Sequence, residues 1–253
     1  MLTHSNEVFN SGRTKVTVFY ATKYISNYQN VLTNTINLLF PKRCKLCNEP
    51  LSDPKSGICV VCIDSIAGWP PDFNPAALAD EIFGGRIEIE AVYLLASFHA
   101  ESPLRSALHE IKYEGNVELA GKLGRQLAIR NQLNQKGFTS VTPVPLHPAK
   151  FDLRGYNQSE AIAKGIATEA GISAEVLLKR TKHTPSQTKL DRTHRWSNVE
   201  DAFEIIDTSQ IPSHVLVVDD TITTGATLEA CAIQLKRVGV KRISIAALGY
   251  ATA

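Results

Sequence analysis

The residues best suited to chemistry in this chain of 253 residues stand in one unbroken run, HVLVVDDTITTGATLEACAIQLKRVG. The β-branched stretch His214 to Val218 reads as a buried strand, with Asp219 and Asp220 at its carboxyl end. A Thr/Gly turn then leads into an amphipathic helix from Thr227 to Val238 that stops at Gly239. Gly225 lets the backbone approach an anion closely, and the amides of Thr223, Thr224, Gly225, Ala226 and Thr227 fall at a helix N-terminus, where the dipole favours negative charge. Hydroxyls of Thr223, Thr224 and Thr227 add neutral donors, so a dianionic phosphate can be held without a lysine. The absence of a Gly-Lys-Ser/Thr ending excludes the usual nucleotide P-loop. Two adjacent carboxylates repel a phosphate unless something positive or hydroxylic lies between. The 2- and 3-hydroxyls of a ribose, with Mg²⁺ bridging to pyrophosphate, meet that need. The plainer alternative is an Asp-rich turn that only caps the helix, which does not require the whole order of strand, acid, threonine and glycine.

A second constellation is CKLC at Cys44 to Cys47 and CVVC at Cys59 to Cys62, separated by eleven residues that include Pro50, Pro54 and Gly57. Two such knuckles can offer four thiolates in a tetrahedron, which suits a structural Zn²⁺. Disulfides need an oxidising compartment, and a redox pair needs only one C-x2-C. No His is placed to complete a catalytic site with an open position, so the expected zinc is structural. The fifth cysteine, Cys231, falls inside the helix after the Thr/Gly turn and reads as a small buried residue.

Two polar segments remain. TPVPLHPAKFDLRGYNQSEAIAKGIA sets His147, Lys150 and Arg154 after a strand, followed by Asn157 and Gln158 at a helix start. Donors clustered there suit an anion such as pyrophosphate, with Arg154 able to bind bidentately, or form a solvated loop whose Asn157 caps the helix. KRTKHTPSQTKLDRTHRWSNVEDAF is rich in Lys and Arg and nearly free of apolar residues, so it reads as a loop able to close over a charged substrate. A solvated basic face is the alternative. Trp196 among Arg192, His194 and Arg195 also permits stacking on nucleic-acid bases.

These groups need positioning elements. Ala91 to Phe98 reads as a strand, Ser102 to Arg130 mostly as helix, Val141 to Leu146 as a strand, Ser159 to Ala170 as helix, Glu175 to Leu178 as a short strand, and Arg242 to Leu248 as another strand. Strands alternating with helices predict an α/β domain with a mostly parallel sheet flanked by helices. Residues 1–37 form an unassigned extension, 38–75 a small cysteine module resembling a zinc ribbon, and 88–253 the α/β domain. Apolar residues at 43% and charged residues at 21% are those of a soluble globular chain, and a net charge of +2 by itself predicts no nucleic-acid partner. The apolar run near Val31 to Phe40 is too short to span a membrane, and no secretory signal is legible, so the cytoplasm is the expected compartment.

The run VLVVDDTITTGATL resembles the signature of type I phosphoribosyltransferases that binds 5-phosphoribosyl-1-pyrophosphate (PRPP). That resemblance implies that Asp219 and Asp220 contact the ribose hydroxyls and that Thr223 to Thr227 hold the 5-phosphate; Thr221 departs from the aliphatic residue more usual there. The order of four cysteines, SPLRSALHEIKYEGNVELAGKLG, VPLHPAKFDLRGYNQ, HTPSQTKLDRTHRWSNV and VDDTITTGATL is similar to the ComF/GntX group over roughly residues 40–250. Membership implies a zinc finger on Cys44, Cys47, Cys59 and Cys62, a phosphoribosyltransferase-like domain, and handling of single-stranded DNA together with other competence or DNA-processing proteins. It places Lys150, Arg154 and Gln158 on the pyrophosphate side, with Arg154 joining the acidic pair in catalysis, and Gln187, Arg192, Arg195 and Asn198 on a flexible loop. His109 and Lys112 match a family helix, where packing and substrate binding are both open. Whether the chain is a transferase or a non-catalytic uptake factor with PRPP as a ligand also stays open, since no base-recognition hood is legible.

Overall fold

Nine residues of one strand carry the acidic pair, and the remaining elements are arranged around it. The computed structural model describes residues 40–66, 68, 73–98, 102–181, 202–207 and 209–251. The chain forms helices α1 (Val60–Ser65) and α2 (Pro75–Phe83), strand β1 (Val92–Phe98), helices α3 (Pro103–Tyr113) and α4 (Val117–Arg130), a 3-10 turn (Leu133–Gln135) and strand β2 (Ser140–Pro143). Helices α5 (Pro148–Arg154) and α6 (Gln158–Ala170) follow, then strands β3 (Ser173–Ala174), β4 (Leu178–Arg180), β5 (Phe203–Ile205) and β6 (His214–Ile222), helix α7 (Ala226–Arg237) and strand β7 (Arg242–Ala251).

Five strands make an all-parallel sheet in the order β1-β7-β6-β2-β3, while β4 and β5 pair antiparallel apart from it. Both faces are covered, which is why these strands are apolar throughout rather than alternating. Successive side chains of β6 divide between two cores: Leu216 and Val218 join α3, α4 and α6, whereas Val215 and Val217 join α2 and α7. From β2 the chain moves outward to β3, and from β6 it moves the other way to β7, with α6 and α7 on opposite faces. The crevice between β2 and β6 is therefore the topological switch point, where open α/β sheets bind ligands. Strand β2 ends with Pro143 beside Val218, but β6 stays paired to β7 as far as Ile222, so Asp219 and Asp220 project past β2 into that crevice.

The mostly parallel sheet expected from the sequence is present, with local differences. The acidic pair lies within β6 rather than after it, because pairing to β7 continues for four residues beyond Val218. Ser102 to Arg130 is two helices: α3 ends at Tyr113 with Glu114 as its cap, Gly115 takes φ +69°, and the Asn116 side chain accepts from Leu119 N to cap α4. The stretch Glu175 to Leu178 is not a strand; β3 precedes it and β4 starts at its last residue. Helices α2 and α5 had no clear sequence signal, although Pro75 and Pro148 each stand at a helix start.

The cysteine module is welded to the larger domain. Cys44, Leu51, Ile58, Cys62, Ile63 and Ile66 share a core with Leu104, Ala107, Leu108 and Ile111 of α3. Polar ties reinforce it: Asn116 Nδ2 donates to Ser56 O at 3.1 Å, Lys122 pairs with Asp53 at 2.9 Å, and Arg130 donates to the carbonyls of Asp64 and Ile66.

Helices α4 and α6 approach closely through glycines. A methyl group at Gly124 would stand 2.2 Å from Ile162 O, and one at Gly165 would stand 2.1 Å from Gly121 O, in both cases against backbone that cannot swing aside. We predict that Gly165→Ala forces the helices apart and destabilises the fold by about 2–4 kcal/mol in urea unfolding, while Gly137→Ala leaves this helix pair intact. A Gly165→Ala variant as stable as wild type contradicts that packing.

Candidate functional site

The Thr/Gly turn begins where β6 ends. Gly225 takes φ +77° and is the N-terminal cap residue of α7, with no side chain of its own to close the cap, while Thr224 Oγ1 accepts from Ala226 N at 3.5 Å. A Cβ there would stand 2.7 Å from Ile82 and 2.9 Å from Phe83, so the same glycine admits α2 against the turn. Thr223 and Thr224 are exposed, and Thr227 is partly buried on the first turn of α7. Asp219 and residues Thr221 to Leu228 line a small concavity of about 40 Å³ at this helix start. Amides, hydroxyls and a dipole converge there, which is the equipment for an anion.

The acidic pair is held asymmetrically. Asp220 is 7% exposed, and both its oxygens are taken: Oδ1 accepts from Thr221 Oγ1 at 2.8 Å and pairs with Lys112 Nζ at 3.2 Å, while Oδ2 accepts from Gln158 Nε2 at 2.9 Å. Asp219 is partly exposed; its Oδ1 accepts from Ser159 Oγ and from the Asp220 amide, both at 2.8 Å. Oδ2 of Asp219 has no hydrogen-bond partner among the described residues. Burial, and next the negative charge of Asp220, push the Asp219 carboxyl up to about 7, against the opposing effects of Ser159, the Asp220 amide and Lys112.

The first turn of α6 supplies much of this framework. Asn157 caps the helix by accepting from Ser159 N at 3.1 Å, and its amide donates to Val144 O at 3.0 Å, which fixes the helix start to the exit of β2. Gln158 and Ser159 are thereby presented to the two aspartates. Tyr156, just before the cap, is hydrogen-bonded through its hydroxyl to Ile111 O and ties this corner to α3. Burial first pushes its phenol up to about 12; Arg154 pulls it down and Asp220 pushes it up.

Sequence-based candidates fall into three groups. Asp219, Asp220, Gln158, Thr223, Thr224, Gly225, Ala226 and Thr227 gather around the end of β6, although Gln158 is buried against Asp220. Lys150 is exposed on α5, and Arg154 ends that helix, beside the αL cap Gly155. Gln187, Arg192, Arg195 and Asn198, with Trp196, lie outside the described residues, as does the extension 1–37. The chain leaves the described region at Thr181 and returns at Ala202, where Thr181 N donates to Ala202 O at 2.9 Å. Ser159, Tyr156 and Arg180 were not singled out in the sequence. Arg180 stacks over the Phe203 ring at 5.3 Å; burial holds its guanidinium below the usual range, against the charges of Cys231 and Asp219.

The four cysteine sulfurs, Cys44, Cys47, Cys59 and Cys62, all lie within 4.8 Å of one another, with Cys47 Sγ and Cys59 Sγ 3.7 Å apart. Four sulfurs about 2.3 Å from a shared metal would lie about 3.8 Å from each other, so the cluster can hold a metal ion. Although burial opposes it, backbone amides hold the Cys44 thiol down to about 6, the Cys59 N–H reaching its sulfur at 3.3 Å and the Leu46 N–H at 3.5 Å. Burial and the neighbouring thiols raise Cys62. Four thiolates this close need a central cation to ionise together.

The Asp219 environment gives a pH test. Its raised pKa means the fold favours the protonated acid: that contribution is complete below about pH 3.8 and is lost as pH rises through about 7. We therefore expect Asp219→Asn to stabilise the ligand-free protein by roughly 1–3 kcal/mol near pH 8, and by much less near pH 5. A gain independent of pH, measured by chemical unfolding, argues against a strained carboxylate.

Comparisons with known proteins give the following likenesses. Residues 157–252 match the family model described as phosphoribosyl transferase domain. Competence protein F of Haemophilus influenzae is 27% identical over 84% of this chain and 98% of that protein. DNA utilization protein YhgH of Salmonella typhimurium is 27% identical over 82% of this chain and 96% of that protein. A solved structure, an allosteric regulatory enzyme of purine biosynthesis, superposes on 52% of this chain and 26% of its own, at 21% identity and a TM-score of 0.37. Over most of its length the chain is therefore a relative of Competence protein F and of DNA utilization protein YhgH, with a phosphoribosyl transferase domain matched over residues 157–252.

Proposed function

We propose that the crevice between β2 and β6 binds PRPP. The single observation behind this is the juxtaposition of a threonine-rich helix start with a carboxylate, Asp219, that keeps one oxygen open. The turn Thr223 to Thr227 would hold the 5-phosphate, and Asp219 Oδ2 the ribose hydroxyls. Mg²⁺ fits such a place because it takes one or two carboxylates at most and leaves its other positions to phosphate and water. When bound, it would neutralise pyrophosphate oxygens. Lys150 and Arg154, on helix α5 beyond β2, are the residues of this chain suited to the pyrophosphate side, and Gln187, Arg192, Arg195 and Asn198 to a closing loop.

The relatives' names link them to competence and DNA utilization, and we place this chain in the same process, the uptake or use of single-stranded DNA. Among the described residues no helix is long and apolar enough to cross a membrane, and a cytoplasmic protein agrees with that. The alternative, an uptake factor that binds PRPP without catalysing transfer, is favoured by one observation: both carboxylates already accept hydrogen bonds from protein donors. Release of pyrophosphate from PRPP with a base or oligonucleotide acceptor separates the two.

Calorimetric titration of PRPP with Mg²⁺ tests the ligand. We expect saturable binding to wild type, a loss of at least about tenfold in Asp219→Asn, and a similar loss when Thr224 and Thr227 become Val. Equal affinity across these proteins, or none in wild type, removes PRPP from this site.

The cysteine cluster we assign to structural Zn²⁺, held by Cys44, Cys47, Cys59 and Cys62. Metal analysis should find one equivalent per chain. Cys44→Ser should lose it, and chelation should lower the thermal midpoint of wild type, because the module's core is continuous with α3. Full retention of stability in metal-free protein is the opposing result.

A further inference from the structure

Lys112 approaches the acidic pair from an element the ligand site does not otherwise use. It lies on the last turn of α3, more than a hundred positions before Asp220 in sequence, with Nζ 3.2 Å from Asp220 Oδ1 and 3.4 Å from Thr221 Oγ1. The side chains of Lys112 and Asp220 are 24% and 10% exposed, so the pair is shielded from solvent rather than resting on the surface. Long side chains at exposed sites form ion pairs of little worth, but a pair sheltered to this degree fixes the position of both partners.

The surroundings hold Lys112 there. Tyr156 OH bonds to the carbonyl of Ile111, the residue before it, and Glu110, two residues before it, pairs with Lys45 of the cysteine module at 3.7 Å. On the other side, Gln158 Nε2 donates to Asp220 Oδ2, while Gln158 Oε1 is buried without a hydrogen-bond partner. The amide is therefore oriented by Asp220 and by no competing contact. Asp220 accepts three donors, one of them cationic, and does not line the concavity at the Thr/Gly turn, whereas Asp219 does.

We propose that Lys112 is a positioning residue that serves as the resident cation of the acidic pair. It occupies the place at Asp220 that a divalent ion would otherwise take, holds that carboxylate away from the ligand, and leaves Asp219 as the ligand-facing acid. Two carboxylates adjacent in sequence thus have different roles, although sequence alone treats them alike. In its last part the proposal rests on the sugar-phosphate reading of the site; the placement of Lys112 does not. Free Mg²⁺ then has no strong site on the ligand-free protein and arrives with the ligand.

The test uses the full chain without PRPP, so its failure is separable from failure of PRPP binding. Thermal midpoints of wild type, Lys112→Met, Lys112→Arg, Asp220→Asn and the Lys112→Met/Asp220→Asn pair are compared in millimolar MgCl₂ and in NaCl of equal ionic strength. We expect wild type and Lys112→Arg to respond to the two salts alike. Lys112→Met should have a lower midpoint that MgCl₂ specifically and saturably raises, because two uncompensated carboxylates then form a divalent-ion site. Asp220→Asn should restore the midpoint of Lys112→Met and abolish its Mg²⁺ response. Additive effects of the two substitutions, or a Lys112→Met protein indifferent to Mg²⁺, overturn the proposal. If Lys112→Met does not fold alone, recovery of folded protein in the double variant supports it, and no recovery overturns it.

Discussion

Two carboxylates on consecutive residues of a central strand cannot both be taken from water without compensation. Their mutual repulsion, added to the loss of hydration, is a cost that neighbouring elements must offset. The structure does so with a hydroxyl from Ser159, an amide from Gln158, the hydroxyl of Thr221 and the ammonium of Lys112. Three separate elements, α3, the start of α6 and β6 itself, are thereby fixed relative to each other. The closeness of α4 and α6 through Gly121, Gly124 and Gly165 helps set α6 at the height where its first turn meets the end of β6.

The same constraint explains why the site lies at this edge. Extension of β6 past β2 carries the aspartates beyond the apolar layers and into the crevice where α6 and α7 diverge onto opposite faces. A position two residues earlier, at Val217 or Val218, would have been sealed on both sides. Gly225 serves both needs of the turn, allowing its positive φ and admitting Ile82 and Phe83 of α2, so the start of α7 is backed by a packed core. Preorganised donors of this kind act without a reorganisation cost when a ligand arrives.

Through α3 the cysteine cluster joins the same network. A segment as short as 41–66 has little core of its own, and it folds against Leu104, Ala107, Leu108 and Ile111 of the helix that also carries Lys112. Cross-linking the module by a metal would stiffen a support of the acidic pair, in addition to ordering the module itself.

Much of this was legible in the sequence because it is local. The run VLVVDDTITTGATL places strand, acids, turn and helix in immediate succession, and two C-x2-C pairs announce a four-sulfur cluster, since short-range order along the chain determines both. Helix starts at Ser102 and Asn157 were legible for the same reason: a cap bonds within three residues. The break at Gly115, the helix at Pro148–Arg154 and the continuation of β6 through the acidic pair were harder, because each depends on what packs or pairs beside it. Sequence therefore determined which groups could bind a sugar phosphate and a metal. Only the tertiary structure decided that Asp219 stays open while Asp220 is occupied, because the donors that distinguish them, Lys112, Gln158 and Ser159, lie sixty residues or more away along the chain and meet the pair only when α3 and α6 pack on the sheet.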